Sequence, residues 1–168
     1  MLELDFTVDG ARSVPVPAVT FRLNIRAADS TSIHSIDLRC QVRVQPARRR
    51  YTPAEQSALV DLFGTPDRWG KTVRDLVWAS TSVAVSPFEG STTLDLPVPC
   101  GRDPNHGATR YLDALEGGDA PLIFLFSGTI FYEAVGVGEQ VGLIPWDREA
   151  RYRMPIAVWK DLFAEAVP

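Results

Sequence analysis

Soft metal ligands are scarce in this sequence. Cys40 and Cys100 are its only cysteines, and His34 and His106 its only histidines. Two cysteines make no disulfide framework. Structural zinc takes about four ligands, usually supplied as close pairs such as C-x₂-C, and no such pair occurs here. Long apolar runs are missing too. The longest is LIFLF at 122 to 126, broken by Ser127-Gly128, whereas a membrane-spanning helix needs roughly 20 apolar residues. A soluble protein is expected. A basic excess is absent: 17 Lys and Arg stand against 21 Asp and Glu, for a net charge of -4 and a pI near 5.2. The global field therefore repels polyanions, and nucleic acid is not an expected partner without a segregated basic face. There is no basic-then-apolar leader, which makes a reducing cytoplasm the expected compartment. The signatures G-x-S-x-G, H-E-x-x-H and the EF-hand loop do not occur. Gly136, Gly138 and Gly142 run G-x-G-x-x-x-G with no Lys-Ser/Thr after them, which suits a hairpin turn better than a phosphate loop. No cofactor is expected.

What is present is strict alternation. The composition, 45% apolar and 23% charged, is that of a globular chain, and 168 residues suit one domain with a substantial core. Leu2, Leu4, Phe6 and Val8 alternate with Glu3, Asp5 and Thr7 before Pro15 and Pro17 break the chain. Val19, Phe21, Leu23 and Ile25 then alternate with Thr20, Arg22, Asn24 and Arg26. After the turn ADSTS, Ile36, Leu38, Cys40, Val42 and Val44 alternate with Asp37, Arg39, Gln41 and Arg43. A period of 2 is the mark of half-buried strands, and sequential strands with a short link are expected to pair antiparallel. STSVAV and STTLDLPV flank PFEG as an expected hairpin. PLIFLFSGTIFYE is apolar on both faces, as a central strand is. GVGEQVG makes a turn, VGLIP a short strand and ARYRMP an edge strand.

Helices are short. Thr52-Pro53-Ala54-Glu55 is a capping box, and the helix it opens stops at Gly64. PDRWGKTVRDLVW reads as a turn of helix running into a strand. HGATRYLDALEGG reads as a helix with Tyr111, Leu112 and Leu115 inward. In IAVWKDLFAEAVP, Ile156, Trp159, Leu162, Phe163 and Ala166 fall at helical spacing. The expected fold is mainly β: a single antiparallel β-sandwich over 1–168, of about seven or eight strands, with two or three short helices including a C-terminal one.

Candidate functional residues follow from that layout. If the second and third strands pair, Arg22, Arg26, Arg39 and Arg43 share one exposed face near Arg48, Arg49 and Arg50. Guanidinium groups so gathered bind carboxylates in two-pronged fashion, which fits an acidic protein partner. The competing account is a solvated face whose arginine stems cover apolar surface. The terminal helix offers Trp159 and Phe163 to a partner or a second copy. Cys100, His106 and Asp103 sit close enough in sequence for a thiol with its base, or for part of a metal site. Glu133 and Glu139 flank the glycine turn as a potential carboxylate pair. Trp69, Trp78, Trp146 and Trp159 suit either a ligand groove or core plugs.

LRCQVRVQPARRRYTPAEQSALVDLFG, RWGKTVRDLVW, STTLDLPVPC, LIFLFSGTIFY and IPWDREARYRMPIAVWKDL, in this order, resemble an uncharacterised actinobacterial family, a domain of unknown function. The resemblance implies no activity and no catalytic residues. It implies a setting among [NiFe]-hydrogenase and accessory genes, hence an accessory or assembly partner. It also implies a polar, helical tail beyond Pro168. The expected function is thus a non-enzymatic protein-interaction or accessory module, with a small-ligand or metal-binding protein or enzyme built on Cys100 and His106 as the alternative. Self-association fits either reading.

Overall fold

The computed structural model describes residues 3–14, 18–28, 31–100, 106–145 and 147–164, with the backbone alone at 163 and 164. Pro15, Pro17, Asp103, Trp146, Ala166 and the side chain of Phe163 lie outside the described residues.

Two antiparallel sheets face each other. The smaller holds β1 (Leu4–Val14), β2 (Ala18–Ala27) and β6 (Ser91–Pro99) in the order β1-β2-β6. The larger holds β3 (Ser32–Val44), β4 (Leu76–Val85), β7 (Asp119–Ala134) and β8 (Gly138–Leu143) in the order β4-β3-β7-β8. The two-residue β5 (Phe88–Glu89) pairs with β3, and β9 (Glu149–Pro155) pairs with β7. Leu2 lies outside the described residues; the alternating apolar residues described point between the sheets, with Phe21, Leu23, Ile25, Ile36, Leu38 and Val42 wholly buried. Phe6 stacks on Phe126 with ring centroids 4.3 Å apart, and Phe21 meets Phe124 edge to face at 4.9 Å. These contacts join one sheet to the other, and each such buried side chain contributes roughly 1.5–3 kcal/mol. The fold is an antiparallel β-sandwich.

Two expected pairings are corrected. The second and third strands do not pair: β2 lies between β1 and β6, whereas β3 lies between β4 and β7. STSVAV and STTLDLPV are not a hairpin either. They are β4 of the larger sheet and β6 of the smaller, with PFEG as the crossing between them. In both places the chain passes across the core instead of turning back within a sheet. A strand with one apolar face can bury it from either side of a sandwich, so alternation leaves this choice open.

β7 is the spine. One edge pairs with β3; the other pairs with β8 over residues 129–134 and with β9 over 119–125. Gly128 sits where the second edge changes partner. Its φ is +138°, and a Cβ there would lie 2.0 Å from the carbonyl oxygen of Asp37, so no larger residue fits.

The helices lie between strands and at one end. The capping box forms as expected. The Thr52 hydroxyl accepts from the Glu55 amide at 3.1 Å, while the Thr52 amide donates to the Glu55 carboxylate at 2.9 Å. It opens α1 (Pro53–Ala58), followed by α2 (Val60–Phe63), which stops at Gly64 with φ +78°. The 3₁₀ turn Pro66–Arg68 and α3 (Trp69–Thr72) lead into β4. α4 (Gly107–Ala114) buries Tyr111 and Leu112, with Leu115 buried just beyond its end. α4 packs on β4, and α5 (Ile156–Ala164) packs on β1, β2 and α4, closing one end of the core. Trp159 is inside this closure at 1% exposure, edge to face with Trp78 at 5.9 Å, and its indole N–H donates to Asp113 at 2.9 Å. The expectation that Trp159 is presented to a partner is therefore corrected. The apolar stripe of α5 is directed into the sandwich, which gains more from burying an indole than from leaving it wet.

Candidate protein-docking face

The corrected pairing divides the arginine face. Arg22 and Arg26 project from the smaller sheet; Arg39 and Arg43 project from the larger one, on the opposite side of the sandwich. Arg48 to Arg50 lie in the segment after β3, whose 3₁₀ turn spans Pro46–Arg48.

On the smaller sheet the charges are matched locally. Arg22 donates to Asp9, and Arg12 pairs with Asp95 at 2.8 Å. Hydrogen bonds from these guanidinium groups hold the carboxyls of Asp9 and Asp95 below the usual aspartate range. Arg26 is exposed, flanked across the ladders by Asp5 and Ser91.

Within the triplet, Arg49 turns inward. Its Nη2 donates to both oxygens of Glu55 at 2.9 Å, and its Nη1 donates to the carbonyls of Gly117 and Asp119 at 3.0 Å. Its guanidinium carbon lies 5.0 Å from the centre of the Tyr51 ring. The Glu55 side chain, 1% exposed, also accepts from the Glu116 amide at 2.8 Å. Burial opposes its ionisation, but the Thr52 and Glu116 amides and Arg49 outweigh it and hold the carboxyl below the ordinary glutamate range. Beside this pair, the Tyr51 hydroxyl donates to the Pro46 carbonyl at 2.6 Å, so the Tyr111 hydroxyl, also 2.6 Å away, supplies the proton of the tyrosine pair. Burial raises both phenols, Tyr51 to about 12. The network is a latch tying the segment after β3 to the segment before β7. Arg49 thus serves the fold. Arg48 and Arg50 are exposed.

The outer face of the larger sheet is different. Cross-strand register lays out its rows: Val77, Arg43, Ile123 and Arg151; then Ser80, Gln41, Leu125 and Glu149; then Ser82, Arg39 and Ser127; then Ala84, Asp37, Thr129 and Leu143. Arg153, one row beyond Arg151 and opposite Pro121, donates to the Arg48 carbonyl at 2.9 Å. Arg39, Arg43, Arg151 and Arg153 therefore share this face, with the Arg48 backbone beside it. Among the described residues, Arg39 has no ion-pair partner, and Arg43 holds only the side-chain oxygen of Gln41 at 2.7 Å. Arg151 and Arg153 escape a sequence reading that treats ARYRMP only as an edge strand, although the alternation R-x-R within it was the available signal. At the opposite end of the face, Glu133 and Glu139 stand directly across from each other, with His34 3.4 Å from each.

Cys100 and His106 have separate tasks. Cys100 is buried, its thiol 3.2 Å from the Val98 carbonyl, and burial pushes the thiol up to about 11. This is opposite to what an activated nucleophile needs. The His106 ring accepts from the Thr109 amide at 3.4 Å and caps α4. Cys40 is likewise buried and pushed up to about 12. Among the described residues, no three His, Cys, Asp or Glu side chains are arranged to hold a metal ion. No helix among them is long and apolar enough to cross a membrane. Trp78 is a core plug and Trp69 is half-buried.

A family profile matches residues 1–168 from end to end: the Family of unknown function (DUF6084). The chain belongs to this family. The function of the DUF6084 family is unknown. No curated protein matches its sequence. Among solved structures, it is similar to the crystallised CARDB domain of a Pyrococcus furiosus protein, in complex with di-metal ions, at 8% identity over 92% of each chain and a TM-score of 0.35. It is also similar to a protein described as late embryogenesis abundant (LEA), at 12% identity over 91% of this chain and 71% of the other, with a TM-score of 0.39.

Proposed function

We propose that this DUF6084 chain is a protein-docking module that receives an acidic partner on the outer face of its larger sheet. One observation carries the reading. Arg39 and Arg43 stand on the outer face with no ion-pair partner among the described residues, while Arg151, across Ile123 from Arg43, holds Glu149 at 3.6 Å. On the smaller sheet, by contrast, Arg12 and Arg22 each hold a local aspartate. A guanidinium without a local carboxylate is available for two-pronged capture of one from a partner. The specific form of the proposal is a cytoplasmic accessory or assembly role beside a hydrogenase-type complex, as the sequence resemblance implies.

The test is recovery of a stoichiometric partner by tagged protein at low salt. Arg39→Glu with Arg43→Glu is expected to abolish recovery while leaving Tm nearly unchanged, and high salt is expected to do the same to wild type. Arg26→Glu, on the other sheet, is the matched control and retains the partner. Full recovery by the double variant removes this face from the reading.

A second reading has one observation in its favour. A groove of about 770 Å³ runs along the outer side of the smaller sheet, lined by Asp5, Asn24, Arg26, Thr93 and Arg148 among others. The buried Nε of Arg148 has no hydrogen-bond acceptor. A buried donor without an acceptor is costly, and a polar small ligand seated there would satisfy it. Thermal stabilisation by a small polar compound, lost in Arg148→Lys, would favour this reading over docking.

A further inference from the structure

The β7–β8 hairpin is the apolar outlier of this surface. Four of the six large hydrophobic side chains exposed among the described residues lie on it: Val135, Val137, Val141 and Leu143, at 100%, 69%, 65% and 77% exposure. Register places Val141 opposite Phe131 and Leu143 opposite Thr129, so both project on the outer face of the larger sheet. Only β7 pairs with β8 among the described residues, which leaves the far edge of β8 with a row of unmatched amides and carbonyls. Edges of this kind are normally protected by lysine, proline or a bulge. β8, Gly-Glu-Gln-Val-Gly-Leu, has none of these, and its register with β7 runs unbroken from Gly138 to Leu143.

Charge identifies what fits the edge. Glu133 and Glu139 are directly opposite on the same face, a like-charge pairing that destabilises a ladder. Both carboxylates are substantially exposed, and among the described residues His34, at 3.4 Å from each, is the sole basic group within ion-pairing distance of either. A strand arriving at β8 with a cation opposite Glu139 would answer that repulsion. Apolar residues two and four positions earlier in an antiparallel strand would then lie opposite Val141 and Leu143. A second copy of β8 does not fit as well: centred on Val141, it would set Glu139 against Leu143 and bring no cation.

We infer that β8 is a strand-addition site for an extended basic-apolar segment of a partner protein, with the pattern apolar-x-apolar-x-Lys/Arg running antiparallel to residues 139–143. Main-chain hydrogen bonds would supply the pairing, with side-chain selection at every second position. The site is distinct from the arginine end of the same face and does not depend on it.

The experiment uses the full chain and a labelled heptapeptide, Thr-Val-Thr-Val-Thr-Lys-Thr, read by fluorescence anisotropy. Saturable binding is expected. It should fall about tenfold in Leu143→Lys and disappear when the peptide amides facing β8 are N-methylated. Glu139→Lys should weaken this peptide and strengthen one with glutamate in place of lysine. Arg39→Glu with Arg43→Glu should leave peptide binding unchanged, so loss of acidic-partner docking and loss of strand addition are separately visible. Equal binding of the lysine and glutamate peptides, or none at any attainable concentration, overturns the inference. So does sedimentation showing a dimer that Leu143→Lys dissolves, because the edge would then belong to a second copy.

Discussion

On the smaller sheet, Arg12 and Arg22 are each held by an aspartate of the same sheet, whereas on the larger sheet Arg39 stands among serines with no carboxylate within ion-pairing distance among the described residues. A third arrangement lies between the sheets and the helices, where Arg49 satisfies five acceptor atoms, two of them on a nearly inaccessible glutamate. The residue type is the same in all three places. What differs is whether its donors are already occupied and how far water is excluded, and only the unoccupied, wet case leaves a group able to act on another molecule.

The sharpest way to test this comparison is Arg49→Ala. It strands a buried carboxylate and two carbonyls, so a loss of about 3–5 kcal/mol is expected, or a Tm drop on the order of 10 °C for a domain of this size. Thermal denaturation checks it; a change no larger than that of a surface arginine would place Arg49 with the others.

Glu55→Gln tests the same latch through pH. The folded carboxyl titrates below its unfolded value, near 4.3, so its ionisation adds stability at neutral pH that is lost as the pH falls through the folded value. The variant is therefore expected to melt below wild type at neutral pH, with the gap narrowing on acidification. A gap that stays constant or widens would contradict an ionised latch.

Arg12→Ala and Arg22→Ala come next. Each should lower Tm slightly at low salt, and added salt should erase the difference, because these pairs are exposed and screened. The smallest effect belongs to Arg39→Glu, expected to change stability by less than about 0.5 kcal/mol. A marked stability loss there would mean that Arg39 serves the fold after all.

The sequence was informative about strands and uninformative about partners of strands. Alternation located β1, β2, β3, β4 and β6, and separated the apolar side from the polar side in the first three, because period 2 is a local property. It could not say whether the links after β2 and β4 turn back or cross over, since both link types are short and polar. The arginine face depended on that choice and divided when the choice went the other way. The capping box at Thr52 was legible because both of its hydrogen bonds lie within four residues. The inward turn of Arg49 was not, since its acceptors Gly117 and Asp119 are about seventy positions away. The stripe in α5 was visible, but helical spacing tells which side is apolar, not what that side meets.

The closing helix places Trp159 edge to face against Trp78, across from the first two strands. This gives the protein an optical gauge of its own. Undocking of the final helix would wet an indole that is otherwise dark to solvent, shifting emission to the red and removing the near-ultraviolet dichroism of the pair. The attachment of the last stretch of chain can thus be followed in real time without a label, and separately from the melting of the strands beneath it.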